Sequence, residues 1–452
     1  MDPYETKISD VLASQNFLQK HPGNSQLGSD VYSSAVNSSS EIIQRQRYSG
    51  QYVSNANQLN FGSQSSFFIT PGSVMNGIMI SASVALPQYA RAPDLWLLEA
   101  ISSVELVISG SSSVQSLKIN GRSHMEMVLA TLNSNKVQGL KQACPFQNLA
   151  GGGATVNASV PLHLFFSSAD IMALFPLDTS TLQSQIIINI RWKQNYEIFS
   201  GDATNAVTLP NAFSNLYLRV ADQVQISNDF ALANQLRQDP SLVYSIPGTY
   251  LQSYSEVVNV GSFSTEQQVT LTSMPSGNLQ AILCSIREVA KEGSSGTQTL
   301  ISPYARFSSI RCLYNGIELF RADTPEELAL MNCIMTDRDS GVLVNPRSIT
   351  DNAAGGSGNV GSLQHPPVII MPFSNEVSKV LRDRRHEHTK DYSGSSIQFY
   401  FTVTENVEYY SDTFPITAGD FLAHSTGDYR VNFTFVNNAL YEISQRTVAL
   451  EM

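Results

Sequence analysis

Arg384-Arg385-His386-Glu387-His388 is the stretch of this chain that looks most like chemistry, because it sets bases, a carboxylate and two imidazoles side by side. A zinc-binding helix needs its histidines four apart on one face, whereas these two alternate around a single Glu. At i and i+2 they could share a strand face and hold a metal, yet a solvated loop or an intersubunit contact asks less of the sequence. Asp337-Arg338-Asp339-Ser340-Gly341 starts like a calcium loop but lacks the later bidentate Glu. Gly151-Gly152-Gly153 could cradle a phosphate, but no Lys-Ser/Thr follows and no helix start is evident, which excludes a P-loop.

Other candidates fade in the same way. No Gly-x-Ser-x-Gly elbow appears. The pair Glu326-Glu327 is explained by the positive end of a helix. A glycoside hydrolase needs two carboxylates about 5 to 10 Å apart across one cleft, and no pattern places such a pair. Trp96 and Trp192 sit in apolar, strand-like contexts and read as core anchors rather than ligand platforms. No catalytic, cofactor-binding or metal residue is therefore assigned, no cofactor is expected, and the chain is not read as an enzyme.

Composition points the same way. The 452 residues carry 27 Lys+Arg against 38 Asp+Glu, a net charge of −11 with only 14% charged residues. So few cations cannot neutralise many phosphates, so direct nucleic-acid binding is not expected. No apolar run is long enough to span a bilayer, and the start MDPYETKISD has neither the basic nor the apolar region of a secretory signal. Four scattered cysteines (Cys144, Cys284, Cys312, Cys333) without a CxxC pair read as reduced thiols of a protein made in the cytosol. The sequons at Asn37, Asn157 and Asn432 would then escape glycosylation.

The elements that must position anything are strands. Residues 1–63 are rich in Ser, Asn, Gln and Gly and read as a partly flexible arm, with Ile8, Val11, Leu12 and Leu18 as material for one short amphipathic helix. From residue 64 onward, segments such as SQIIINIRW, LQAILCSIREV and SSIQFYFTV alternate apolar and polar residues between Gly, Pro, Asn and Ser punctuation. Only two convincing helices interrupt them, so the fold class is all-β.

The strands come as two matching series. ISSVELVIS leads through Asn120-Gly121 to Ser123-x-x-Glu126 and the apolar run MVLATL. SSIRCLY leads through Asn315-Gly316 to Thr324-Pro325-Glu326-Glu327 and LALMNCIM, with a short insertion before the helix. Each helix opens on S/T-x-x-E, the reciprocal capping pattern, and the second adds Pro325 at its first position. Downstream, SQIIINIRW matches SSIQFYFTV, and the long strand NLYLRVADQVQIS matches YRVNFTFVNNALYEIS. Two tandem eight-stranded jelly-roll β-sandwiches follow, each with a short inserted helix, over residues 64–235 and 236–452. Long loops at 133–157 and 336–364 occupy the same place in both copies.

The strand order, together with the stretch PLHLFFSSADIMALFPLDTSTLQSQIIINIRW and its turn Ala173–Leu177, resembles the double jelly-roll major capsid proteins of tailless icosahedral double-stranded DNA viruses. That lineage includes adenovirus hexon, membrane-containing phages, virophages, polinton-like viruses and the giant DNA viruses. The resemblance implies a homotrimer whose six rolls make a pseudo-hexagonal block, tiling a shell with neighbouring capsomers, pentons and minor or cement proteins. Residues 133–157 and 336–364 would form an outer crown. The arm would lie beneath, against an inner membrane or minor proteins. The location implied is the virion, after synthesis in the host cell. A shed assembly scaffold of the same fold, or a glycan-binding β-sandwich protein, are the alternatives.

Overall fold

The computed structural model describes residues 42–51, 59–69, 74–93, 95–109, 114–131, 134–145, 147–149, 152–163, 177–178, 185–201, 207–225, 244–272, 278–291, 304–336, 368–373, 390–391, 396–404, 425–443 and 448–451. Among the described residues, sixteen strands carry the architecture, with seven short ones beside them. The first eight are β1 (Ile42–Gln51), β2 (Gln64–Ile69), β3 (Val74–Leu86), β4 (Ile101–Ser109), β5 (Val114–Asn120), β6 (Ala154–Pro161), β7 (Gln185–Trp192) and β8 (Asn215–Gln225). The second eight are β9 (Tyr244–Val260), β10 (Gln267–Leu271), β11 (Asn278–Glu288), β12 (Phe307–Tyr314), β13 (Ile317–Ala322), β14 (Ile369–Pro372), β15 (Ile397–Val403) and β16 (Gly427–Ile443).

Their pairing repeats. The first half forms the sheets β1-β8-β3-β6 and β2-β7-β4-β5; the second forms β9-β16-β11-β14 and β10-β15-β12-β13. Every strand of one half thus has the partners of the strand eight places along. All pairs are antiparallel. Two facing four-stranded sheets of this kind are a jelly roll.

Alternation explains how the sheets meet. Ile186, Ile188 and Ile190 of β7 point inward and face Ile80 and Val84 of β3 and Leu216, Leu218 and Val220 of β8 in one continuous core. In the second roll, Ile397, Phe399, Phe401 and Val403 of β15 alternate with half-exposed polar positions. Phe399 stacks on Phe433 of β16, ring centroids 4.2 Å apart, and so ties the two sheets together. β11 departs from alternation. Ala281 through Ile286 are all buried, because one face lines the second core and Ala281 and Leu283 on the other join the first.

Among the described residues, four α-helices are inserted: α1 (Trp96–Glu99), α2 (Gly121–Thr131), α3 (Ser134–Ala143) and α4 (Pro325–Thr336). Helices α2 and α4 occupy the same place, after the fifth strand of each roll. α4 keeps the expected cap: Thr324 Oγ1 accepts the Glu327 N–H at 3.1 Å, and the Glu327 carboxylate accepts the Asp323 N–H at 2.8 Å.

Several expectations need correcting. Ser123 and Glu126 do not cap α2, since the helix starts at Gly121 and Asn120 Oδ1 accepts the Arg122 N–H. The two Asn-Gly pairs are not equivalent. Asn120-Gly121 joins β5 to α2, whereas Asn315-Gly316, both at positive φ, turns the hairpin between β12 and β13. The apparent insertion before the second helix is therefore strand β13. The stretch 133–157, expected as loop, contains α3 and the start of β6, with Leu140, Cys144 and Val156 buried in the first core. Trp96 lies on α1 rather than on a strand. β1 falls within the stretch read as an arm and pairs with β8 along its length. β9 begins at Tyr244, well before the expected strand, and tolerates Pro247 because it lies at a sheet edge.

The residues 1–41, the loop 336–364 beyond Thr336, the turn positions 173–176, Asp337–Gly341 and Arg384–His388 lie outside the described residues.

Candidate functional site

Helix α2 is buried on every side: of its eleven residues, all but Arg122 count as buried, and the Arg122 side chain is only 9% exposed. One side rests on β4 and β5 of its own roll, and the other meets the outer face of the second roll's sheet. Gly121 makes that seat possible, since a Cβ there would lie 2.0 Å from the Ile101 carbonyl oxygen. A helix apolar all round would suit such a place. Instead α2 carries Arg122, Ser123, His124 and Glu126, which face buried partners.

Glu126 is the hub. Its carboxylate accepts hydrogen bonds from Ser285 Oγ of β11, from Asn432 Nδ2 at 2.8 Å and from Thr434 Oγ1 at 2.6 Å, the last two on β16. Arg122 lies one turn back, its Nε 3.3 Å from the same carboxylate, and also donates to Ser285 Oγ at 2.8 Å. The guanidinium stacks over the Tyr304 ring, 4.6 Å from its centroid. Burial pushes the Glu126 carboxyl above its ordinary pKa, against the pull of Arg122 and the three donors.

Glu99, at the end of α1, forms a second node. The Tyr304 hydroxyl donates to it, Lys193 Nζ lies 2.5 Å away and Arg287 Nη1 of β11 lies 3.6 Å away. Burial alone would raise this carboxyl; Lys193, Arg287 and Arg122 outweigh it and hold it down to about 2. Tyr304, pressed between the nodes, is pushed above its ordinary value by burial and by Glu99.

The third node is neutral. His124 Nε2 accepts the His163 N–H at 2.9 Å, so that nitrogen carries no proton. His163 Nε2 lies 3.4 Å from Thr249 Oγ1 of β9. Burial lowers both imidazoles to about 3, and the neighbouring His124 adds to the effect at His163.

These nodes join the two rolls. Most of their donors and acceptors are paired, although Arg122 Nη1, His124 Nδ1 and His163 Nδ1 are buried without a hydrogen-bond partner, and what the arrangement does chemically is fix one roll on the other. Of these residues the sequence reading reaches only Ser123 and Glu126, under a capping role, and Asn432, as a sequon. The available signals were a charged row inside an apolar helix and the unbroken apolar run of β11.

The sequence candidates are scattered. Trp96 and Trp192 are buried; the Trp192 indole N–H donates to Ser65 Oγ at 2.8 Å. Cys144, Cys284 and Cys312 are buried, and Cys144 Sγ accepts the Leu97 N–H at 3.4 Å. Asn432 serves the hub, while Asn157 stands exposed on β6 and accepts from Ser83 Oγ at 2.6 Å. Gly152 and Gly153 are exposed ahead of β6.

No protein-family model matches the chain, and no curated protein matches it either. Solved structures do. The chain is similar to PBCV-1 VP54, as fitted into a cryo-EM reconstruction of the virophage Sputnik, with TM-score 0.58 and 14% identity over 92% of this chain and 96% of that one. The PBCV-1 virus capsid, as a quasi-atomic model, gives TM-score 0.55 and 13% identity over 92% and 96%. The Sputnik virophage cryo-EM structure gives 0.54 and 11% over 94% and 89%. The fold is the double jelly roll of viral major capsid proteins. In this double jelly roll the hub of Glu126 is the joint between the rolls, with α2 as its first-roll side and β11 and β16 as its second-roll side.

Proposed function

We propose that this chain is a major capsid protein whose homotrimers form pseudo-hexagonal blocks and tile the icosahedral shell of a double-stranded DNA virus. The observation that carries the reading is the repeated pairing pattern, in which β1–β8 and β9–β16 make the same sandwich twice over a buried joint. Three chains can make a six-cornered tile only if each supplies two nearly equivalent modules rigidly held. The double jelly-roll fold shared with the PBCV-1 and Sputnik capsid structures supports the same reading.

On this reading the protein resides in the virion. Its partners are its own copies, neighbouring capsomers, pentons and minor or cement proteins, with residues 1–41 facing an inner membrane or such proteins. It performs no catalysis and needs no cofactor or metal. Many individually weak tile contacts hold the shell together. The test is the mass of the purified full chain by light scattering, with electron micrographs of the same sample. A particle of three 49.5 kDa chains and hexagonal outlines are expected. A stable monomer across micromolar concentrations overturns the proposal.

A further inference from the structure

The joint between the rolls has two sides of different chemistry. Toward the inner strands β11 and β16, the Glu126 carboxylate gathers Ser285, Asn432 and Thr434 beside the Arg122 cation. Toward β9, the edge strand of the same sheet, the link runs through two imidazoles. His124 Nε2 accepts the His163 N–H at 2.9 Å, and His163 Nε2 lies 3.4 Å from Thr249 Oγ1 of β9. Leu251, two residues further along β9, is buried in the first roll's core. Both Nδ1 atoms are buried without a hydrogen-bond partner. A proton added to His124 must go to Nε2, the atom that now holds the His163 N–H. An imidazolium at His163 would carry an Nδ1–H with no acceptor. The closed geometry therefore has no place for a proton on either ring.

We propose that the joint is a proton-operated hinge: acid frees β9 from His163 and α2, while Glu126 keeps β11 and β16 in place. Charges on the elements packed against α2 are engaged elsewhere. Glu99 of α1 and Arg287 of β11 belong to the second node, and Arg122 and Glu126 to the hub. Glu105 of β4 accepts from Asn189, Glu288 of β11 from Ser425, and Glu256 of β9 from Tyr254. Lys118 of β5 is exposed, and Arg430 of β16 lies opposite Arg287. Tyr250 and Tyr254 of β9, Cys284 of β11 and Tyr429 of β16 stay neutral in acid. Burial lowers His124, and burial and then His124 lower His163. Glu126 has the opposite sign. Burial raises its carboxyl, so the closed hub takes a proton more readily than the open one and acid does not pry that side apart. The two halves of the joint thus answer acid in opposite senses, which makes the motion a swing about the hub. The hinge goes beyond the capsid reading and stands or falls without it.

Hydrogen exchange of the full chain, read at single residues at pH 7.5 and 5 and corrected for the intrinsic pH dependence of exchange, tests the hinge. With closed imidazoles held to about 3 against an ordinary 6.5, each ring hydrated by opening should raise the open fraction at the His163 amide about thirtyfold between those pH values. The amides of Asn432 and Thr434 should change far less. In His124→Gln, whose side chain can accept the same N–H and does not titrate, the response at His163 should shrink by that factor. Equal protection of His163 at both pH values, an equal loss at His163 and on β16, or an unchanged response in His124→Gln overturns the hinge. Should the variant lose its circular dichroism spectrum, the parent's contrast between His163 and β16 decides alone.

Discussion

The Glu126 carboxylate of the first roll accepts a 2.8 Å hydrogen bond from the Asn432 side chain of the second, across 306 residues of sequence. Both groups are buried, so the bond is not exchanged with water, and each is held by further partners. Removing the carboxylate takes from the buried Arg122 the anion it touches, leaving only the shared Glu99. Glu126→Ala should therefore cost about 3 to 5 kcal/mol. Replacing Arg122, Glu126 and Ser285 together by Met, Leu and Ala should cost far less, because no charge is stranded. Urea unfolding midpoints check both, and equal midpoints for Glu126→Ala and the parent would refute the stabilising role of the hub.

Acid should loosen the joint. His124 and His163 are held to about 3 against an ordinary 6.5, so between those values the unfolded chain binds more protons than the folded one. Stability therefore rises with pH across that window and is lost as pH falls from 6.5, by up to about 1.4 kcal/mol per pH unit for each imidazole. Glu99, lowered to about 2, adds a loss of the same sign as pH falls below its ordinary 4.5. Glu126, raised by burial, works in the opposite direction. Thermal midpoints at pH 7.5, 6.5, 5.5 and 4.5 should fall steadily. His124→Gln, whose amide oxygen can accept the His163 N–H, should flatten the descent.

Two glycines should respond oppositely to the same change. Gly121→Ala forces a methyl against the Ile101 carbonyl, which is backbone and cannot swing aside, so a loss beyond the usual 1–3 kcal/mol of overpacking is expected. Gly139→Ala on α3 meets nothing within 4 Å. It should gain about 0.4–1 kcal/mol by restricting the unfolded chain. Denaturant midpoints of the two variants decide the matter.

The thiols report on the cores. Burial raises the Cys284 and Cys312 thiols well above their ordinary value, and neither they nor Cys144 are accessible. A thiolate-specific reagent should leave these three untouched in the native protein and modify all four cysteines in denaturant. Rapid native labelling at any of the three, located by peptide mapping, contradicts the packing described.

The sandwiches were legible in the chain because β7 and β15 bury every second residue, and a period of two has few other meanings. The duplication was legible for the same reason, although Asn120-Gly121 and Asn315-Gly316 misaligned it: a strand-to-helix junction and a hairpin turn both favour that dipeptide. The joint was not legible. Ser123 and Glu126 satisfy the local capping pattern, and only the arrival of β11 and β16 on the other side of α2 gives them better partners. α3 escaped notice because Leu140 and Cys144 are too few to mark a period. Tertiary partners decided these cases; the trace they leave in local sequence is a charged row on α2 and the unbroken apolar run of β11.

Among the described residues, β9 pairs with β16 alone, in unbroken register from Tyr244↔Ile443 to Val260↔Gly427. During synthesis, then, the opening strand of the second roll touches the first roll through Thr249 and Leu251 but has no strand to pair with until the closing strand has left the ribosome. Helix α2 must wait equally long for Asn432 and Thr434. A charged rather than oily flank on that helix keeps the half-made polypeptide hydrated through the delay, and makes completion of the carboxyl-terminal end the event that locks the molecule.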